Sequence, residues 1–221
     1  MFKNNIELAA WSISKVGCPY WYGTFGQIAS ESLLKQKRKQ YPSHYTDARL
    51  AKMRSHFGKQ VFDCVGLIKG YMWESGGRIV YNAAQDVSAD TMYKLCKEKG
   101  DIKDIPEIKG LLVFKKGHVG VYIGSGKVVE AKGFNYGVVI SNLKGSGFTA
   151  WGKCPFIFYA EKFDVDGDGK VTAADARAVL RHSAKLETLS AAEQYSADVN
   201  NDGKVDSKDA REILRQSAGL G

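Results

Sequence analysis

A single cysteine stands where a polar stretch gives way to an apolar run, in Phe62-Asp63-Cys64-Val65-Gly66-Leu67-Ile68. The spacing of Val65, Leu67, Ile68, Tyr71 and Met72 is helical, which puts Cys64 at a helix N-terminus. Unpaired backbone N–H groups and the partial positive charge there favour a thiolate, the nucleophilic form of cysteine. A histidine, His118, opens a strand pattern directly after Lys115-Lys116-Gly117, and Glu130 lies on the next strand pattern across Gly124-Ser125-Gly126. The length of that turn decides whether the two side chains meet. With a two-residue loop Gly124 pairs with Lys127 and Glu130 faces away from His118. With a three-residue loop Ile123 pairs with Lys127, and Glu130 falls opposite Gly120, on the face of His118 and diagonal to it. A three-residue loop wants glycine at its left-handed third position, and Gly126 supplies one, so the three-residue loop is predicted.

The chemistry of such a set is thiol-dependent acyl transfer. Cys64 would attack a carbonyl carbon, and His118 would keep the sulfur ionised and then protonate the leaving amine. Glu130 would orient the imidazole and stabilise its cation. Backbone N–H groups at the Cys64 helix start, with the Tyr20 hydroxyl, would hold the oxyanion. Taken singly, each residue has a bland reading: a small core cysteine, a polar strand end, an exposed strand carboxylate. A nucleophile at a helix start, a histidine at a strand start and its hairpin partner together point to a site.

The elements that must position these groups follow from periodicity. Residues 4–16 read as an amphipathic helix ended by Gly17, followed by the aromatic, glycine-punctuated Cys18-Pro19-Tyr20-Trp21-Tyr22-Gly23. Residues 28–59 are polar and basic, with short helices split at Pro42; their His44 and His56 are read as solvated. A helix over 64–74 stops at Gly76-Gly77, and another spans 88–99 with Ser88 as its cap. Beyond Gly110 the pattern turns to short strands: 111–114, 118–123, 127–131, 137–141 and 156–159. Helices first and strands second indicate an α+β domain with an antiparallel sheet.

The 221 residues suit one or two domains, and 44% hydrophobic content is enough to bury a core. No apolar run reaches the ~18 residues of a membrane span. Met1 to Lys15 lacks the continuous apolar segment of a secretory signal. Residues 1–160 carry 23 Lys and Arg against 12 Asp and Glu, and residues 161–221 carry 9 against 12, so a basic part of +11 precedes an acidic one of −3. A basic surface without a nucleic-acid motif suits attraction to an anionic polymer. Cys18, Cys64, Cys96 and Cys154 show no metal-ligand spacing, so thiols are expected, with all but Cys64 structural.

The acidic part is a repeat. Residues 164–186 and 198–220 match at an offset of 34, with 14 of 23 positions identical. Asp164, Asp166, Asp168, Lys170, Thr172 and Asp175 occupy positions 1, 3, 5, 7, 9 and 12 of an EF-hand-type loop, with Gly169 at 6. Asp198, Asn200, Asp202, Lys204, Asp206 and Asp209 repeat the pattern, with Gly203. Oxygen donors at alternate positions wrap one Ca²⁺ each, the lysines giving only a backbone carbonyl, so two structural ions are expected. Each half buries little apolar surface, so its folding should depend on calcium.

Two resemblances follow. Residues 5–160 resemble the NlpC/P60 family of papain-like cysteine peptidases, through Gly17-Cys18-Pro19-Tyr20-Trp21-Tyr22-Gly23, Asp63-Cys64-Val65-Gly66-Leu67, Gly117-His118-Val119-Gly120-Val121-Tyr122-Ile123-Gly124 and Val128-Val129-Glu130-Ala131. The resemblance implies Cys64 as nucleophile, His118 as base and Tyr20 as oxyanion helper, with Asp63 binding a substrate amino group. Its third residue is usually His, Asn or Gln, where this chain has Glu130. It implies hydrolysis of peptide bonds in the peptidoglycan stem; an N-acetylmuramoyl-L-alanine amidase and an idle wall-binding module are the rival readings. The basic stretch between Gly26 and Asp63 is longer than in compact members. Residues 163–220, a loop and one helix twice over, resemble the type I dockerin, which binds cohesin modules of scaffold proteins. Its recognition positions fall on Ala173-Ala174 and Ser207-Lys208. The expected architecture is therefore a papain-like α+β domain over 1–160 and a small all-α dockerin over 161–221, in an extracellular or cell-surface protein that takes no nucleic acid.

Overall fold

The computed structural model describes residues 3–220. Its elements run α1 (Asn5–Ser14), β1 (Phe25–Ile28), α2 (Glu31–Gln40), α3 (Asp47–Arg54), β2 (Gln60–Phe62), α4 (Cys64–Trp73), β3 (Glu74–Ser75), β4 (Arg78–Ile79), α5 (Ala89–Leu95), β5 (Lys99–Asp101), β6 (Leu112–Lys115), β7 (His118–Gly124), β8 (Lys127–Gly133), β9 (Gly137–Asn142) and β10 (Ala150–Gly152). Then come α6 (Ala173–Ser183), α7 (Ala191–Ala197) and α8 (Ser207–Ser217). The chain divides into two units: Leu8–Ile157, and the residues before Leu8 with those from Phe158 onward.

The larger unit is built on an antiparallel sheet in the order β5-β10-β6-β7-β8-β9. Helix α4 lies against β7 and β8. Its Leu67 packs into a cluster with Phe62, Val129, Ala131 and Val138. The helix is apolar nearly all round, because it runs between the sheet and the β1–β2 pair and is buried from Val65 to Trp73. A glycine at position 66 is required: a Cβ there would stand 1.8 Å from the Thr24 carbonyl oxygen.

The basic stretch forms α2 and α3. They close over Trp21 in a core of their own, with Leu33, Leu34, Tyr45, Met53 and Val61. His44 and His56 are not solvated as expected. The His44 ring stacks on Tyr22 at 3.7 Å, and Nδ1 of His56 accepts a hydrogen bond from the Trp21 indole at 3.1 Å. The stretch folds onto the aromatic segment before it, and the two histidines are part of that contact.

Three local expectations are corrected. The helix expected over 88–99 ends at Leu95, and Lys99–Asp101 joins the sheet. Gly76-Gly77 does not merely stop α4 but forms the positive-φ turn of the β3–β4 hairpin. Residues 156–159 are not a strand of the sheet. β10 fills the place beside β6, and Pro155 offers no N–H. Phe158 makes only an isolated bridge to Asn4.

In the smaller unit the two repeats pair α6 with α8. Matching residues of the two halves, Ala176 with Ala210 and Val179 with Ile213, share one buried cluster with Val165, Leu189 and Ala197. Helix α7 occupies the linker between the repeats, where only two loop-helix units were expected.

Candidate functional site

Cys64 is the first residue of α4, and Asp63 is the N-cap. The two oxygens of Asp63 are both engaged: Oδ1 accepts from Gly66 N–H at 2.6 Å and Oδ2 from Gly23 N–H at 2.7 Å. Asp63 therefore fixes the helix start and ties it to the aromatic segment, and it also lines the cleft beside Cys64. Tyr20 is brought alongside by a bridge to Phe62. Burial, and then the charges of Asp63 and Cys64, push the Tyr20 phenol well above its usual value, so it remains a donor.

The expectation of a ready thiolate is corrected. Burial first, and the Asp63 charge second, push the Cys64 thiol up to about 12, although the N–H groups of Val119, Val65 and Cys64 favour the anion. The helix-start effect is present but smaller than desolvation. A nucleophilic Cys64 would therefore need a base to take its proton.

His118 and Glu130 are brought together: His118 Nε2 lies 2.7 Å from Glu130 Oε2. Glu130 is only 1% exposed. Burial raises its carboxyl, but the bond to His118, the nearby Ser141 hydroxyl and the charges of His118 and Lys132 outweigh that, and the net shift is downward. A carboxylate held ionised at Nε2 makes that nitrogen the N–H donor and leaves Nδ1 free as a base. Phe148 stacks against the imidazole at 5.8 Å. Gly120 is needed here, since a Cβ would meet Val128 at 2.6 Å and the Phe148 ring at 3.1 Å.

The side chains meet by a route different from the expected one. The loop has two residues, Ser125 and Gly126, both at positive φ, as in a type I′ turn. The register then shifts between Tyr122 and Gly124, so that Tyr122 pairs with Val128 and Val121 with Val129. The irregularity at Ile123 restores the parity assigned to a longer loop.

A cleft of about 640 Å³ opens on Cys64 and reaches Gly117, the residue before His118. One wall comes from Tyr22 to Phe25. Another comes from α2 and the residue after it, through Leu33, Gln36, Lys37, Gln40 and Tyr41. The basic stretch between Gly26 and Asp63 thus shapes the cleft through α2.

In the smaller unit, oxygens of Asp164, Asp166 and Asp168 lie within 4.8 Å of one another. Burial, then the charges of Asp175, Asp168 and Asp164, raise the Asp166 carboxyl. Backbone N–H groups hold the loop: Gly167 and Gly169 donate to Asp164, and Lys170 donates to Asp168. In the second loop Asp202 and Gly203 donate to Asp198, and Lys204 donates to Asp202. Asp175 and Asp209 are fully buried and stand outside the clustered oxygens. Asp175 accepts from the N–H of Val165, Asp166 and Thr172, and Asp209 accepts from Val199, Asn200 and Asp206. They tie each loop to its helix, and Asp175 takes a fourth bond from the Thr172 hydroxyl at 3.2 Å. This all-oxygen donor set fits Ca²⁺. Ala173-Ala174 and Ser207-Lys208 open α6 and α8, with Ala173, Ser207 and Lys208 exposed.

Residues 52–154 match the NlpC/P60 family, and residues 162–216 match the dockerin type I domain. The chain joins an NlpC/P60 domain to a type I dockerin. The NlpC/P60 match includes Cys64, His118 and Glu130, while Tyr20 and α2 precede it. Among solved structures, the chain is similar to NlpC2 from Trichomonas vaginalis, at 16% identity and a TM-score of 0.43 over 71% of this chain and 47% of that one. It is similar to the peptidoglycan hydrolase RipB from Mycobacterium tuberculosis, at 20% identity and a TM-score of 0.42, over 70% of this chain and 66% of that one. It is also similar to the P60 domain of an antigen from M. avium subspecies paratuberculosis, at 21% and 0.42, over 70% of this chain and 96% of that domain. The chain thus spans about half the length of the Trichomonas protein. No curated protein matches it. The folds agree with the expected classes: helices on an antiparallel sheet, then a helical dockerin.

Proposed function

We propose that the NlpC/P60 domain hydrolyses a peptide bond in the peptidoglycan stem, with Cys64 as nucleophile, His118 as base and acid, and Glu130 as the group that holds the imidazole. The observation that carries this reading is the 2.7 Å contact between His118 and a buried Glu130, beside a cysteine whose own thiol burial keeps protonated. Nδ1 of His118 takes the Cys64 proton as sulfur attacks the carbonyl carbon. The tetrahedral oxyanion is met by N–H groups at the start of α4 and by the Tyr20 hydroxyl. When the C–N bond breaks, the same proton passes to the leaving amine. Water then attacks the thioester, giving its proton to His118, and Cys64 regains a proton as the acid is released. A thiol without a stable anion of its own makes Glu130 important, because it supports the imidazolium at the moment of proton transfer.

The dockerin would bind a cohesin module through the exposed starts of α6 and α8, Ala173-Ala174 and Ser207-Lys208, and so anchor the hydrolase to a scaffold outside the cell. Two calcium ions would be held by Asp164, Asp166, Asp168, the Lys170 carbonyl and Asp175, and by Asp198, Asn200, Asp202, the Lys204 carbonyl and Asp209. Bound calcium would neutralise each acidic loop and fix the start of its helix.

The test is mass spectrometry of peptidoglycan fragments released by the protein and by Cys64→Ala. A new stem-peptide terminus made only by the unmutated protein is the expected result and names the bond. Release of intact stem peptide would assign an amidase instead. Release by neither would refute hydrolysis and leave a wall-binding module.

A further inference from the structure

Lys37 sits on α2 and lines the same cleft as Cys64. It is 7% exposed. Among the described residues, it is the buried charged side chain with neither an ion pair nor a hydrogen bond. Lys69, the other buried lysine of the cleft, contacts Asp86 at 2.5 Å. Glu130 holds His118, and the buried aspartates of the dockerin accept backbone N–H groups.

The acids whose charge reaches Lys37 are Asp63 and Asp86. Both are committed elsewhere: Asp63 to Gly23 and Gly66, and Asp86 to Lys69 and the Tyr81 hydroxyl at 2.8 Å. The Lys37 ammonium lies over the Tyr41 ring, 5.7 Å from its centroid, a contact that supplies no counter-charge. A lysine stem buried along a helix, with its head at a cleft and no counterion, is costly to keep unless a ligand supplies the counterion. Burial lowers its pKa, which a bound anion would reverse.

We propose that Lys37 is the carboxylate-binding residue of the cleft, so that the substrate carries a free carboxylate on a residue flanking the scissile bond. The ammonium would make a charge-assisted hydrogen bond to that carboxylate and set its distance from Cys64. This names the substrate class of the proposed hydrolase and rests on that reading for turnover, but not for binding. The site comes from the basic stretch between β1 and β2, which supplies a cleft wall from outside the residues matched to NlpC/P60 before position 52.

The experiment compares a synthetic stem peptide with its fully amidated counterpart, in which every carboxylate is a carboxamide. Cleavage is measured with the unmutated protein, Lys37→Met and Lys37→Arg. Calorimetric binding is measured on the same set in a Cys64→Ala background. The unmutated protein is expected to prefer the carboxylate peptide by about 10-fold or more in kcat/KM, the range of a charge-assisted hydrogen bond. Lys37→Met should lose that preference by falling on the carboxylate peptide alone, and Lys37→Arg should retain most of it. Carboxylate-dependent binding in Cys64→Ala that vanishes with Lys37→Met, without turnover in the unmutated protein, would support the site and refute the hydrolase. Equal handling of both peptides, or an equal loss on both in Lys37→Met with circular dichroism unchanged, would overturn the proposal. So would failure of Cys64→Ala to bind the carboxylate peptide.

Discussion

Replacing Glu130 by glutamine tests the proposed catalytic arrangement most directly. The side chain keeps its length, and the amide oxygen can still accept from His118 Nε2. The amide nitrogen must then take the place of Oε1, which lies near the Ser141 hydroxyl and stands 3.7 Å from the Lys132 ammonium. Nitrogen there adds a poor contact with a cation, so the rotamer itself is somewhat disfavoured. The main loss is charge: an ionised acceptor contributes ~1.5–3 kcal/mol against ~0.5–1.5 for a neutral one. The difference of ~1–2 kcal/mol falls on the imidazolium formed in the transition state, and predicts a fall in kcat of about 5–30-fold with KM little changed. Steady-state hydrolysis of a stem peptide at neutral pH would measure it. Unaltered kcat would refute the argument that Glu130 supports the cation, and a loss as complete as that of Cys64→Ala would show that Glu130 does more than hold the ring.

Iodoacetamide labelling of Cys64 should be faster in the unmutated protein than in His118→Ala. In the variant it should rise with pH toward the raised thiol value of about 12; rapid labelling of the variant at neutral pH would contradict this. Chelation by EDTA should melt the dockerin helices and abolish cohesin binding while the NlpC/P60 domain keeps its near-ultraviolet dichroism. Gly66→Ala should destabilise the larger unit by at least ~1–3 kcal/mol in urea titration, because the new Cβ falls on the Thr24 carbonyl and α4 must shift.

Residues acting through local spacing were legible before the fold was known. Phe62-Asp63-Cys64-Val65-Gly66 gave the helix start, and the loop residues of the dockerin gave their own geometry. The meeting of His118 and Glu130 was anticipated through an incorrect turn, since an irregularity inside β7 leaves no mark in composition. Whatever depended on packing between distant segments was not legible. The pull of burial on Cys64 requires the cleft, and the seclusion of Lys37 requires α2 to close over Trp21. His44 and His56 looked solvated because the aromatic partners that cover them, Tyr22 and Trp21, lie more than a helix away in sequence.

The extra residue in β7 makes the pairing of His118 with Glu130 a matter of odd and even numbers. Between the two side chains, chain length can change only in steps of two if they are to stay on one face. Losing Ile123, or gaining one residue beside Ser125, would turn Glu130 outward and bring Val129 or Ala131 into its place, leaving His118 beside an aliphatic group. Homologous hairpins of other lengths can therefore keep their pair only by gaining or losing a compensating bulge. A chain that lacked one would have to draw its third residue from a neighbouring position on β8, with whatever side chain stood there.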